Sequence, residues 1–218
     1  MHWVLKKLLG LPLLVGFMNC LFVIFSPTVF WTLSTLLPLC SINAFICIDI
    51  VIRPTSTRQD QYPRVILVLA FLALPLLLWL PYLEATWLIS VFLPPLYILW
   101  MVIIGLVVLF IGGIIGLVSR IQLGHFGGPK IVIEEHHQLI TTGMYSHIRH
   151  PQYLGFLLLF FGYTISMGSI LLPLTITLSL FLIFRSRMNL EEKLLTETFG
   201  AVYSNYKKRT KRLIPYIY

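Results

Sequence analysis

The sequence predicts an all-α integral membrane protein, and three observations predict it. Its mean hydropathy is +0.89 with 58% hydrophobic residues, outside the range of soluble globular domains. Its apolar runs approach or exceed the roughly 20 residues a helix needs to cross a bilayer. Its basic residues are confined to alternate connections between those runs. Six runs are readable: about 8–25, 29–52, 65–80, 87–118, 153–165 and 170–184. Pro94-Pro95 is expected to divide the over-long fourth run into a surface-lying approach and a true span. The last two runs are short and joined by Met167-Gly168-Ser169, which predicts a helical hairpin. The expected architecture is therefore five to six transmembrane helices including that C-terminal hairpin.

Alternating passes put Thr28, a loop over Pro81–Thr86 and the Ser166–Ser169 turn on one side. None of the 16 Lys and Arg residues falls there. They lie in the N-terminal tail, in the 53–64 and 120–149 loops, and from Arg185 onward. The positive-inside rule places those regions, both termini and any site they form on the cytoplasmic side.

Within residues 1–118, read as the N-terminal transmembrane part, polar groups are few. Asn19 and Asn43 are expected to hydrogen-bond between helices, and Asp49 to pair with Arg53 four residues on. Gly105, Gly112, Gly113 and Gly116 mark close approach to a neighbouring helix, Gly112-x-x-x-Gly116 being a small-xxx-small pattern. No strand precedes them, so they are not a nucleotide-binding loop. Cys20, Cys40 and Cys47 sit inside apolar runs and read as small packing residues, neither a disulfide nor a metal set.

Residues 119–218 form the chemically dense part. The segment Arg185–Arg212 reads as one cytoplasmic amphipathic helix, with Leu190, Leu194, Leu195, Phe199, Tyr203 and Tyr206 at three- and four-residue steps. Its basic end, Lys207 to Arg212, suits anionic lipid headgroups. No recognition fold accompanies it, so nucleic acid is not an expected partner. His136-His137 and His147-x-x-His150 lack a Cys or Asp to complete a compact ligand set, and no metal is expected.

The most informative stretch is Gly143-Met-Tyr145-Ser-His147-Ile-Arg149-His150-Pro151-Gln152-Tyr153-Leu-Gly155, answered by Arg187, Glu191 and Glu192. In a chain only 11% charged, such a cluster beside lipid is a functional site by default. Arg149-His-Pro-x-Tyr-x-Gly155, then Glu191-Glu192-x-x-Leu195-x-x-x-Phe199-Gly200-x-x-Tyr203-x-x-Tyr206 and a closing Arg212-Leu-Ile-Pro215, resemble the isoprenylcysteine carboxyl methyltransferases over roughly residues 120–215. The resemblance implies an integral-membrane enzyme that uses S-adenosylmethionine on a lipophilic acceptor, such as a prenylated cysteine or a lipid. It implies a cofactor cradle of His137, Gln138, Leu139, Ile140, Tyr145, His150, Pro151, Gln152, Tyr153 and Glu191, with Arg187 holding the substrate and Arg149 next in line for it. Arg187 and Glu191 carry the catalytic role. Met144 departs from the usual proline of the Gly-Pro-Tyr step.

The residue types suit that chemistry. A carboxylate acceptor is already ionised near neutral pH, so positioning and electrostatics matter more than a strong base. Arginine holds a carboxylate bidentately, and an acid complements a cationic donor. Two other readings compete. The ending Arg212-Leu-Ile-Pro-Tyr-Ile-Tyr218 resembles NADPH-dependent sterol reductases, although 218 residues are few for their larger helix set. A non-catalytic lipid-binding protein would leave the polar cluster without a purpose. Cofactor preference separates the three.

Overall fold

The computed structural model describes residues 2–26, 32–52, 64–126 and 138–214. They form seven helices: α1 (His2–Phe25), α2 (Leu33–Ile52), α3 (Arg64–Glu84), α4 (Pro95–Leu123), α5 (Pro151–Ser166), α6 (Leu172–Phe199) and α7 (Ala201–Arg209). Among the described residues the extended pairing is a single parallel bridge, Ile148 with Lys211. Three stretches are long and apolar enough to cross a membrane: Ser34–Ile52, Leu72–Phe92 and Pro95–Leu123. Leu9–Phe25 is a shorter apolar helix. Side chains such as Leu13, Trp87, Phe92 and Leu174 point outward, more than 70% exposed, as lipid-facing positions do. This is an integral membrane protein.

The loop expected at Pro81–Thr86 is helix instead. α3 continues past Pro75 and Pro81, through a π-helical turn (Ala85–Ile89), into a last turn at Ser90–Phe92. Prolines are tolerated inside membrane helices where neighbours satisfy the freed backbone groups. The Tyr163 hydroxyl also ties α3 to α5 here, donating to the Leu78 carbonyl at 2.6 Å. The break falls at Leu93, which turns extended before Pro94, and Pro95 then opens α4, where its missing N–H costs no hydrogen bond. Trp87–Phe92 thus ends α3 and is not a surface-lying approach to α4.

α4 and α5 pack backbone to backbone. A Cβ on Gly105 would lie 2.2 Å from the Ser166 nitrogen, one on Gly112 2.4 Å from the Leu159 nitrogen, and one on Gly162 2.2 Å from the Leu109 nitrogen. Gly155 in turn approaches the Gly116 backbone to 2.5 Å by the same measure, so the small-residue pattern read from the sequence is an interhelical seam. Asn19 and Asn43 exchange amide hydrogen bonds at 3.2 and 3.3 Å between α1 and α2, as expected. Met18, Phe22, Ile42, Leu78, Leu109 and Tyr163 fill the core between these helices.

The predicted hairpin is present, turning at Gly168 (φ +81°). Its second arm is anchored by Glu84, whose carboxylate accepts from the Ile170, Leu171 and Leu172 amides at 2.8, 2.7 and 3.0 Å and from the Ser169 hydroxyl at 2.5 Å. An acid here answers both the orphan N–H groups and the dipole of a helix start. The amphipathic helix expected over Arg185–Arg212 is two pieces. α6 runs unbroken from Leu172 to Phe199, and Gly200 (φ +52°) turns the chain into α7. With 28 residues, α6 spans about 42 Å, so one rigid rod joins the apolar hairpin to the charged site.

Candidate active site

The site forms where the polar ends of α4, α5 and α6 meet the fold-back of α7. Gly143 starts the approach with φ +60°, and a Cβ there would lie 2.4 Å from the Gln122 amide. That amide accepts the Met144 N–H at 3.0 Å. Only glycine meets both demands cheaply. The following turn buries Tyr145, whose hydroxyl points to the Ser119 carbonyl at 3.4 Å and whose own carbonyl accepts the Tyr206 hydroxyl at 2.7 Å.

Next, the strap 147–150 is stitched to the tail. The Arg149 amide donates to the Lys211 carbonyl (2.8 Å), the His150 amide to that of Arg212 (3.0 Å), and the Lys211 amide to that of His147 (3.1 Å). Pro151 then opens α5, leaving the His150 side chain buried and facing α6.

Arg187 and Glu191 lie one helical turn apart and converge on one phenol. The Tyr153 hydroxyl donates to Glu191 and accepts from Arg187 Nε at 3.3 Å. The Tyr153 ring stacks on Phe184, centroids 4.9 Å apart. His150 spans both acids, Nδ1 at 3.5 Å from Glu191 and Nε2 at 3.2 Å from Glu192. Burial alone would lower the proton affinity of that imidazole, but its bonds to Glu191 and Glu192 raise it above the ordinary value. Glu191 remains about a quarter exposed, a carboxylate at the rim.

Glu192 has the opposite character. Its carboxylate takes Arg149 Nε at 3.1 Å, Arg212 Nε at 3.1 Å, Lys207 Nζ at 3.1 Å and His150 at 3.2 Å. Burial would raise its pKa, yet the His150 bond and the Arg149 and Arg212 charges hold it far below the carboxylate range. Arg149 also donates from Nη1 to the Lys207 and Thr210 carbonyls at 3.2 and 2.5 Å. Its Nε thus holds Glu192 of α6 while its Nη1 braces the tail.

The structure brings together Arg187, Glu191, His150, Tyr153 and Arg149, with Tyr145 buried close by. Gln138 is exposed, and Leu139 and Ile140 are half-buried on the extended lead-in to Gly143; His137 lies outside the described residues. Gln152 turns its amide oxygen to the Arg120 guanidinium. Arg120 is itself buried and bonded to Asp49 at 2.9 Å. Asp49 therefore reaches across 71 positions to α4; its expected partner Arg53 lies outside the described residues. Neither the Asp49–Arg120 pair nor the fourfold hub on Glu192 had a signal in local spacing.

Comparison with known proteins agrees with this picture. Residues 100–202 match the phospholipid methyltransferase family (PEMT). A probable protein-S-isoprenylcysteine O-methyltransferase of Oryza sativa subsp. indica is 34% identical over 116 residues, 52% of this chain and 61% of that protein. The protein-S-isoprenylcysteine O-methyltransferase of Saccharomyces cerevisiae (strain ATCC 204508 / S288c) is 41% identical over 88 residues, 38% of this chain and 35% of that protein. The chain thus spans less than two thirds of the length of the curated relatives it matches. A solved structure of the eukaryotic intramembrane Ras methyltransferase ICMT (isoprenylcysteine carboxyl methyltransferase) superposes with a TM-score of 0.68 at 20% identity, over 95% of this chain and 74% of that one.

The fold is that of a helical membrane protein, and residues 100–202 are similar to the phospholipid methyltransferases. Within that class, sequence and fold both liken this chain to the isoprenylcysteine carboxyl methyltransferases.

Proposed function

We propose that this chain transfers a methyl group from S-adenosylmethionine to a lipophilic carboxylate, a prenylated cysteine being the leading acceptor. The observation that carries the reading is the pairing of Arg187 and Glu191 on one phenol at the end of an apolar rod. The donor set fits the cofactor. Glu191 is a part-exposed carboxylate outside the Glu192 hub, available to a cation, whereas Glu192 is already answered by four basic side chains. Glu191, Tyr153, His150, Tyr145 and the 138–140 segment are the residues that would hold it. When bound, S-adenosylmethionine supplies a methyl activated on a cationic sulfonium.

The chain's own work is positioning. Arg187 offers a planar fork for the acceptor carboxylate, and Tyr153 sets the distance between that fork and Glu191. Lipid-facing walls admit the acceptor's apolar tail from the bilayer. Arg149, fixed by Glu192 and two carbonyls, serves the site as a brace. The positive-inside pattern supports a cytoplasmic site with five to six crossings, and the basic end of α7 supports contact with anionic headgroups.

Titration of the detergent-purified protein with S-adenosylhomocysteine and with NADPH, followed by a labelled-methyl assay on a farnesylcysteine, tests the proposal. Saturable S-adenosylhomocysteine binding and base-labile label on the acceptor are expected. Saturable NADPH binding without a response to S-adenosylhomocysteine would move the protein to the membrane reductases.

A further inference from the structure

Two buried side-chain oxygens among the described residues lack a hydrogen-bond partner: Thr177 Oγ1 and Tyr203 Oη. Thr177 lies in the apolar half of α6. Tyr203 lies at the site. Its side chain is among the largest in the molecule to be fully buried, at 1% exposure. Its ring packs on Tyr206 with centroids 5.9 Å apart and has the Lys207 ammonium 5.9 Å from its centre. Tyr206 has spent its hydroxyl on the Tyr145 carbonyl at 2.7 Å. Tyr203 has not, although a buried hydroxyl without a partner opposes folding and is rarely kept for nothing.

The surroundings specify what the hydroxyl would meet. Burial first of all, with Glu192 next, pushes the Tyr203 phenol well above its ordinary pKa, so it stays a donor. The charges around it are uneven: Arg149, His150, Lys207 and Arg212 converge on Glu192, and Glu191 is the second acid. Four basic side chains against two carboxylates favour an anion, and a phenol donor with basic neighbours suits the planar oxygens of a carboxylate.

We propose that Tyr203 is an unassigned binding residue of the site, its hydroxyl donating to a ligand carboxylate beside the Glu192 hub. The inference rests on the methyl-transfer reading, which supplies two such carboxylates: the amino-acid end of the methyl donor and the acceptor itself. In the first case Glu191 and Tyr203 divide the zwitterion, acid to ammonium and phenol to carboxylate.

The test is Tyr203→Phe, measured beside wild type and Tyr206→Phe. Losing an orphan hydroxyl should leave the thermal stability of the ligand-free protein unchanged or raised, whereas Tyr206→Phe should lower it. Calorimetry with S-adenosylhomocysteine and with methylthioadenosine, which lacks the amino-acid end, gives the first arm. Affinity for the former falling by about tenfold or more, with the latter unchanged, assigns the donor's carboxylate. Unchanged S-adenosylhomocysteine binding with a similar rise in KM for farnesylcysteine assigns the acceptor's. If both ligands behave as with wild type, the proposal is overturned and the hydroxyl serves a buried water or nothing. A wild-type protein that binds no S-adenosylhomocysteine and methylates nothing refutes the methyl-transfer reading first, and this proposal with it.

Discussion

Replacing Glu192 by glutamine should release the tail from the site while leaving the membrane helices folded. The carboxylate is about nine-tenths buried and accepts from Arg149, His150, Arg212 and Lys207 at 3.1–3.2 Å. Glutamine keeps one acceptor but turns an NH2 donor toward those donors. Removing one side of a buried ion pair costs about 3–5 kcal/mol. Lys207 is 40% exposed, so its share is discounted for solvent, and the retained oxygen offsets part of the rest. About 3 kcal/mol remains, roughly a hundredfold in a local opening equilibrium. Hydrogen exchange in detergent should therefore accelerate by about that factor over 201–214, with α4 and α5 still protected.

The same hub has a pH signature. Glu192 is depressed in the fold, so its contribution is present above the unfolded value of about 4.3 and is lost only in strong acid. His150 is raised, so its contribution is complete below about 6.5 and fades as pH rises through the folded pKa. Wild-type stability should thus decline on the alkaline side, and Glu192→Gln should flatten that decline. Wild-type exchange over the tail together with an unchanged alkaline slope would refute the hub as the element that docks α7.

Three further outcomes are expected. Glu191→Gln should weaken S-adenosylhomocysteine binding by about ten- to a hundredfold; Arg187→Ala should nearly keep that affinity while turnover collapses, and Arg187→Lys should rescue poorly. Full activity in a folded Arg187→Ala protein would reduce this arginine to a topology anchor. Gly162→Ala puts a Cβ 2.2 Å from the Leu109 nitrogen and should destabilise by at least about 1–3 kcal/mol, seen as a lower melting temperature; tolerance would mean the α4–α5 seam is looser than described. In a background lacking Cys20, Cys40 and Cys47, a cysteine at Ile170 should label from outside intact cells and one at Lys193 only after permeabilisation. Labelling of both from one side would refute the crossing of the hairpin.

Much of this molecule was legible in the sequence because membrane folding is a local affair. Apolar runs must be helices, since lipid offers the backbone no other hydrogen-bond partner, and the Gly105–Gly116 spacing foretold a close helix contact. The motif order signalled the family likeness, which pointed to Arg187 and Glu191, and their four-residue spacing put both on one helical face. What the tertiary structure decided lies where local rules do not reach. Pro81 looked like a loop, yet α3 stays helical through it to Phe92, and the Leu78 carbonyl one turn before it takes the Tyr163 hydroxyl of α5. Local spacing left Glu192 either solvated or paired with the basic tail; the turn at Gly200 decides it by bringing Lys207 and Arg212 back onto the carboxylate. The contact of Asp49 with Arg120 is made by the packing of α2 on α4, which no local spacing announces. A helix period predicts partners one turn off; contacts between residues 15 to 85 positions apart exist only once whole helices have packed.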